Sequence, residues 1–143
     1  MTLRADGELG GEHLSCSVQT ARAITEAGLH VAGGGDGTLA CSGDMLLQSL
    51  VACAGVTLLS VATNRGIRVT GGVHAEGDLD FSGILGVDRD APVGFAAIRL
   101  RFDLESEATA EELDALIATT KRYCTIYQTL SCPPELSMYR GSE

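Results

Sequence analysis

The sequence predicts an α+β fold in which helices pack on one face of an antiparallel sheet and a long, buried helix forms the centre. Three features predict it. Twenty uncharged residues, most of them apolar, lie between Asp44 and Arg65. Residues 73–81 and 96–104 alternate apolar and polar side chains with the period of a half-buried strand. Farther on, Thr109 stands three residues before Glu112 and opens an amphipathic run, the pattern of a capped helix. The predicted order is one or more strands, the buried helix, two strands, the amphipathic helix and a last strand.

Each element has its own signal. In "HLSCSV" at 13–18, Leu14, Cys16 and Val18 share one face of a strand. "GGGDGT" at 33–38 lacks the lysine ending of a phosphate-binding loop and does not complete a dinucleotide fingerprint, so it reads as a turn. The central helix is predicted over 43–64. Ser42 is its N-cap, Asp44 sits in the first turn where negative charge suits the helix dipole, and "NRG" at 64–66 is the stop. Met45, Leu46, Leu47, Leu50, Val51, Val56, Leu58, Leu59 and Val61 go round the whole circumference, so this helix has to be covered on all sides. In a small chain that calls for a sheet on one side and a second subunit on the other.

In the first alternating strand, Val73, Ala75, Leu79 and Phe81 point one way and His74, Glu76, Asp78 and Asp80 the other. In the second, Ile98, Leu100, Phe102 and Leu104 face inward, with Arg99, Arg101 and Asp103 outward. Acidic and basic outer faces of neighbouring strands attract. "SGILGVDRDAPVG" between them is rich in turn residues and predicts a long hairpin loop. Leu113, Leu116, Ile117, Thr120 and Cys124 recur at helical spacing and run the second helix on to "SCPP" at 131–134, where proline ends it. "ELSMY" is the candidate last strand.

Bulk properties bound the function. A chain of 143 residues has enough length for a real core, and one domain over 1–143 is expected. Its net charge of −9 offers no basic face for phosphate, and an aromatic content of 4% offers few stacking platforms, so nucleic acid is not an expected partner. The apolar stretch is nearly long enough for a bilayer, but Gln48, Ser49, Thr57 and Ser60 dilute it and no basic cluster flanks it; no membrane partner is expected. "MTLRADGELGG" has no apolar signal region, which predicts a cytoplasmic protein with reduced thiols. The five cysteines, Cys16, Cys41, Cys53, Cys124 and Cys132, are an odd number, which argues against a disulfide framework. They form no CxxC, and His13, His30 and His74 are scattered, so no metal site is expected. Taken one at a time, Cys16, Cys41 and Cys132 read as small apolar residues.

Cys53 and Cys124 carry more. "DMLLQSLVACAGVTLLSVATNRGI" resembles the cysteine-bearing central helix of the OsmC/Ohr family, the osmotically inducible and organic hydroperoxide resistance proteins. "KRYCTIYQTL" resembles that family's second motif, with Thr125 where proline is usual. The 71-residue spacing of the two cysteines is close to the family's, "GFAAIRLRFDL" fits as well, and the resemblance runs from about residue 38 to the C-terminus.

The resemblance implies an OsmC-like fold, an intertwined homodimer with sheets wrapped around paired central helices. It also implies a peroxidase with no cofactor. Cys53 attacks the O–O bond of an organic hydroperoxide, Cys124 resolves the resulting sulfenic acid as a disulfide, and a small thiol or dihydrolipoyl group reduces the pair. The alternative is a non-enzymatic member of the same fold that binds a small apolar or electrophilic ligand or senses it through its thiols. Burial raises a cysteine pKa, and Cys53 lies too far along its helix to use that helix's own dipole. In the family an arginine held by a glutamate steadies the thiolate. Counted back from Cys53, the glutamate position falls on Gly43, with Asp44 the adjacent acid and Arg22 in "QTARAI" the nearest upstream arginine.

Overall fold

The computed structural model describes residues 6–9, 15–19 and 24–141, so Arg22 and His13 lie outside the described residues. It divides into two compact units. The first comprises the described residues up to Gln48 together with Ala75–Arg99; the second comprises Ser49–His74 and the chain from Leu100 onward.

A four-stranded sheet in the order β1-β2-β3-β4 organises the first unit. β1 (Asp6–Leu9) runs antiparallel to β2 (Ser15–Gln19), with Leu9 opposite Cys16, and β2 runs antiparallel to β3 (Ile24–Gly28), with Cys16 opposite Ala27. β4 (Ala40–Cys41) is two residues long and parallel to β3. The segment 31–38 folds as a turn, as predicted. A single 3-10 turn at Val31–Gly33 is capped by the His30 ring, which accepts from the Ala32 N–H at 3.1 Å. Gly34 closes it at φ 95°, a left-handed conformation that glycine adopts without strain. Asp36 then accepts from both the N–H and the hydroxyl of Thr38.

The predicted central helix is α1 (Ser42–Asn64), with Ser42 as its first residue rather than its cap. Among the described residues it is the one helix long and apolar enough to cross a membrane by length and composition. Its stop is as predicted. Gly66 stands at φ 67°, its N–H reaches the Thr63 carbonyl and the Ile67 N–H reaches back to Ala62, which is the Schellman arrangement.

The two alternating strands are β5 (Thr70–Asp78) and β6 (Ala97–Glu105), and they pair. Gly71 lies against Asp103 and Leu104, while Gly77 lies against Phe95, so the strands are antiparallel. Opposite charges meet on the outer face. Arg99 binds Asp78 at 2.6 and 2.7 Å, and His74 stands 3.4 Å from Asp103. The strand predicted over 73–81 stops at Asp78, because Asp80 turns the chain by accepting the Ser82 N–H and starts a short helix, α2 (Phe81–Ile84). Leu79 and Phe81 therefore leave the strand and border a cavity with His30, whose ring packs 5.5 Å from that of Phe81.

The core of the second unit is built on one stripe of α1. Leu50, Ala54, Leu58 and Ala62, four residues apart, are all buried. Leu58 and Ala62 cluster with Leu116 and are flanked by Val61, Ile67, Val69, Phe102, Leu104, Leu113 and Ile117. The other side of α1 is open in a single chain: Val56 is 71% and Leu59 54% exposed.

Leu116 lies on α3 (Ala110–Tyr123), which opens with the predicted capping box. Thr109 accepts from the Glu112 N–H, and the Glu112 carboxylate accepts from the Thr109 N–H. Two predictions fail beyond it. The helix does not run on to residue 131 but breaks at Cys124, whose ψ is 108°, and restarts as α4 (Thr125–Ser131). Residues 135–139 form no strand; Leu136, Met138 and Tyr139 are exposed coil after the proline pair.

Replacing Leu116, fully buried in this cluster, by alanine leaves a cavity and is expected to cost about 2–5 kcal/mol. Thr109→Ala removes a cap worth about 1 kcal/mol. Urea unfolding checks both: the midpoint falls further for Leu116→Ala, with m unchanged.

Candidate functional site

Cys53 and Cys124 meet inside the second unit. Cys53 is half-buried on α1, one residue before Ala54 in the buried stripe, and Cys124 is 1% exposed at the junction of α3 and α4. Neither is in a disulfide, and the two thiols are close enough to affect each other's ionisation.

The helix break creates the site's electrostatics. A helix starts with N–H groups that have no carbonyl partner within the helix. At α4 two of these, from Ile126 and Thr125, favour the charged form of Cys53. Burial pushes the Cys53 thiol up, but four hydrogen bonds outweigh it: from the Ile126 N–H, from the Cys124 thiol, from the Thr125 N–H and from Thr57. The net shift is down. In the structure the Thr57 hydroxyl donates to the Cys53 main-chain carbonyl at 2.7 Å.

Cys124 moves the other way. Burial raises its pKa most, and both the hydrogen bond it donates to Cys53 and the negative charge there raise it further. The Tyr127 and Ile126 N–H groups offset part of this. Cys53 is thus pushed toward its thiolate and Cys124 away from it.

Three contacts fix the junction. The Cys124 N–H donates to the Thr120 carbonyl at 2.8 Å, and the Gln128 N–H donates to the Cys124 carbonyl at 3.0 Å. The Gln128 side-chain amide donates to the Lys121 carbonyl at 2.8 Å, tying α4 back to the last turn of α3. Thr120, buried beside Cys124, keeps its hydroxyl bonded to the Leu116 carbonyl at 2.9 Å.

Behind Cys124 is an apolar cavity of about 160 Å³, bordered by Ala54, Leu100, Phe102, Ile117 and Thr120, with Lys121 and Tyr127 also lining it. Cavities of this order hold a benzene-sized group.

The remaining candidates lie elsewhere. Asp44 lines the first unit's cavity of about 390 Å³ with His30, Cys41 and Phe95, and it is not among the groups bonded to Cys53. Nor is any described arginine. Arg99 is held by Asp78 and Glu76, Arg101 by Asp103, and Arg65 donates to Thr119 at 2.7 Å. Cys41 is half-buried and Cys132 exposed. Among the described residues no three His, Cys, Asp or Glu side chains form a metal-binding group. The functional groups that sequence reasoning missed are the N–H groups of Thr125 and Ile126. One signal pointed to them: Lys121 and Arg122 suit the negative end of a helix dipole and mark the end of α3 just before Cys124.

Comparison with known proteins gives a consistent picture. The family model for "OsmC-like protein" matches residues 34–138, most of the chain. An OsmC-like protein from Mycoplasma pneumoniae superposes with a TM-score of 0.77 at 16% identity, over 93% of this chain and 89% of that one. An organic hydroperoxide resistance protein OsmC from Legionella pneumophila gives 0.67 at 15% identity, over 92% and 90%. The organic hydroperoxide resistance protein OhrB of Bacillus subtilis gives 0.60 at 15% identity, over 93% of both chains. At these identities the structural likeness speaks for the fold alone. A search of curated proteins gave no match.

The opposed shifts predict distinct pH profiles. Alkylation of Cys53 by iodoacetamide, followed peptide by peptide, is expected to rise through a midpoint below the ordinary thiol value of about 8.5, and that of Cys124 through one above it. Cys124→Ala removes a donor to the sulfur and moves the Cys53 midpoint up. A Cys53 midpoint at or above that of Cys124 in the unsubstituted protein contradicts the assignment.

Proposed function

The chain belongs to the OsmC-like family, and on that premise we propose that it is a thiol-dependent peroxidase that reduces organic hydroperoxides through Cys53 and Cys124. The observation that carries this reading is that Cys53 and Cys124 come together in one unit beside an apolar cavity, with opposed shifts, Cys53 down and Cys124 up. A peroxidase needs one sulfur ionised at neutral pH and a second beside it that keeps its proton.

In the proposed cycle the Cys53 thiolate attacks the outer oxygen of ROOH. The S–O bond forms as the O–O bond breaks, and alkoxide leaves. Cys124 is hydrogen-bonded to Cys53 and supplies the proton that turns the alkoxide into alcohol. The Cys124 thiolate so formed attacks the sulfenic acid, the S–S bond forms, and hydroxide leaves and is protonated by solvent. An external thiol or a dihydrolipoyl group returns two electrons and restores both thiols by exchange. The apolar cavity behind Cys124 supports a substrate with an organic group rather than hydrogen peroxide. A reducing cytoplasm suits a pair that has to be returned to the dithiol state. One observation favours a second reading, a ligand-binding or thiol-sensing protein without turnover: no described arginine is bonded to Cys53.

Peroxide consumption separates the two. With cumene hydroperoxide and a dithiol, Cys53→Ser is expected to abolish turnover. Cys124→Ser is expected to reduce one equivalent and stall with Cys53 as a sulfenic acid that dimedone traps. Full activity in Cys53→Ser, or none in the unsubstituted protein with any organic hydroperoxide, leaves the sensing reading.

We also propose a homodimer built on the open side of α1, where Val56 and Leu59 are exposed. Apolar surface of this kind on a helix whose one charged residue is Asp44 is an interface signal. Light scattering after size exclusion is expected to give twice 14.8 kDa at micromolar concentration; a stable monomer refutes it.

A further inference from the structure

We infer that Lys121 determines specificity, and that the cavity beside Cys124 takes an apolar group of about benzene size carrying an anionic group, in the simplest case a carboxylate. As a statement about the substrate this rests on the peroxidase reading; as a statement about what the cavity binds it does not.

The cavity, of about 160 Å³, is walled by Ala54, Leu100, Phe102 and Ile117. Thr120 adds no free donor, since its hydroxyl is bonded to the Leu116 carbonyl at 2.9 Å. One charged residue lines it, Lys121. Ala54, Thr120 and Cys124 are buried while Lys121 is exposed, so Lys121 stands where the cavity meets solvent. Its ammonium stays with the cavity lining: Nζ lies 5.5 Å from the centre of the ring of Tyr127, which lines the same cavity. The ion pairs among the described residues are made by Arg68, His74, Arg99 and Arg101, so no described carboxylate neutralises Lys121. A cation at the rim of an apolar cavity, with no carboxylate of its own, is the complement of an amphiphilic anion: apolar group inside, charge at the rim. The protein as a whole does not favour anions. Its net charge is −9, so the overall field repels them, and a preference for an acid over its neutral counterpart has to be local. Arg122 gives the contrast. It is the next residue and carries the same charge, but it does not line this cavity.

The test has a binding arm and a turnover arm, both on the full chain. In the first, 4-isopropylbenzoate and its neutral carboxamide are titrated by calorimetry. The acid is expected to bind about fivefold more tightly than the amide. That advantage is expected to vanish in Lys121→Gln and to persist in Lys121→Arg and in Arg122→Gln. Equal affinity for acid and amide, binding of neither, or an equal loss in Arg122→Gln overturns the inference. Should Lys121→Gln fail to fold, the unsubstituted protein still decides: added salt is expected to weaken the acid but not the amide, and an acid indifferent to salt overturns the inference. In the second arm, the ratio of kcat/KM for the 4-carboxy derivative of cumene hydroperoxide to that for cumene hydroperoxide itself is expected to fall about fivefold in Lys121→Gln. An unchanged ratio overturns the inference for the substrate. Acid-selective binding with no turnover of either hydroperoxide removes the peroxidase reading and leaves the cavity's ligand standing. Turnover without acid selectivity does the reverse.

Discussion

The site depends on a helix that stops one residue early. If α3 continued through Cys124, the N–H groups of Thr125 and Ile126 would bond to carbonyls of the preceding turn and none would be free for a sulfur. The break at Cys124 frees them, and at the start of α4 both favour the charged form of Cys53. This resolves the conflict between burial and reactivity. Burial disfavours a thiolate, while each hydrogen bond to a charged group contributes about 1.5–3 kcal/mol. Two main-chain donors and one thiol are enough to reverse the sign for a half-buried group. Cys53 gains its donors from a different helix from its own, so its mid-helix position is no handicap.

The packing of α1 brings the sulfur to those donors. The buried stripe alternates large and small: Leu50, Ala54, Leu58, Ala62. Alanine lets neighbouring elements approach closely, and Ala54, beside Cys53, is fully buried and borders the cavity with Cys124. A larger residue at 54 would push the α3–α4 junction away from the very sulfur it has to reach. Leu116 and Thr120, both buried on the last turns of α3, hold the junction from the other side.

Much of this was legible in the sequence. Regular repeats have one cause each: the uncharged run gave α1, period-two alternation gave β5 and β6, and the Thr109–Glu112 spacing gave the start of α3. The cysteine motifs named the family and the two sulfurs. What was not legible was set by main-chain geometry. Cys124 fits the apolar stripe of α3 at helical spacing, so periodicity runs straight through the break, and only the basic pair Lys121–Arg122 marks the end of the helix. At the end of β5, alternation through Leu79 and Phe81 likewise outlasts the strand, because a local bond from Asp80 to Ser82 overrides it. In the tail, alternation at 135–139 had no neighbouring strand to pair with among the described residues. Asp44 was singled out by counting along the chain, and in the structure it lines the first unit's cavity.

The two sulfurs also have a built-in order of action. A negative charge on Cys53 raises the Cys124 pKa, so in the proposed cycle the proton stays on Cys124 while Cys53 is a thiolate. Oxidation to a neutral sulfenic acid removes that charge. The Ile126 N–H, until then shared between both sulfurs, and the Tyr127 N–H then serve Cys124 without opposition from its neighbour. Its pKa falls at the step in the proposed cycle where it has to act as a thiolate. The same few main-chain donors thus support first one sulfur and then the other.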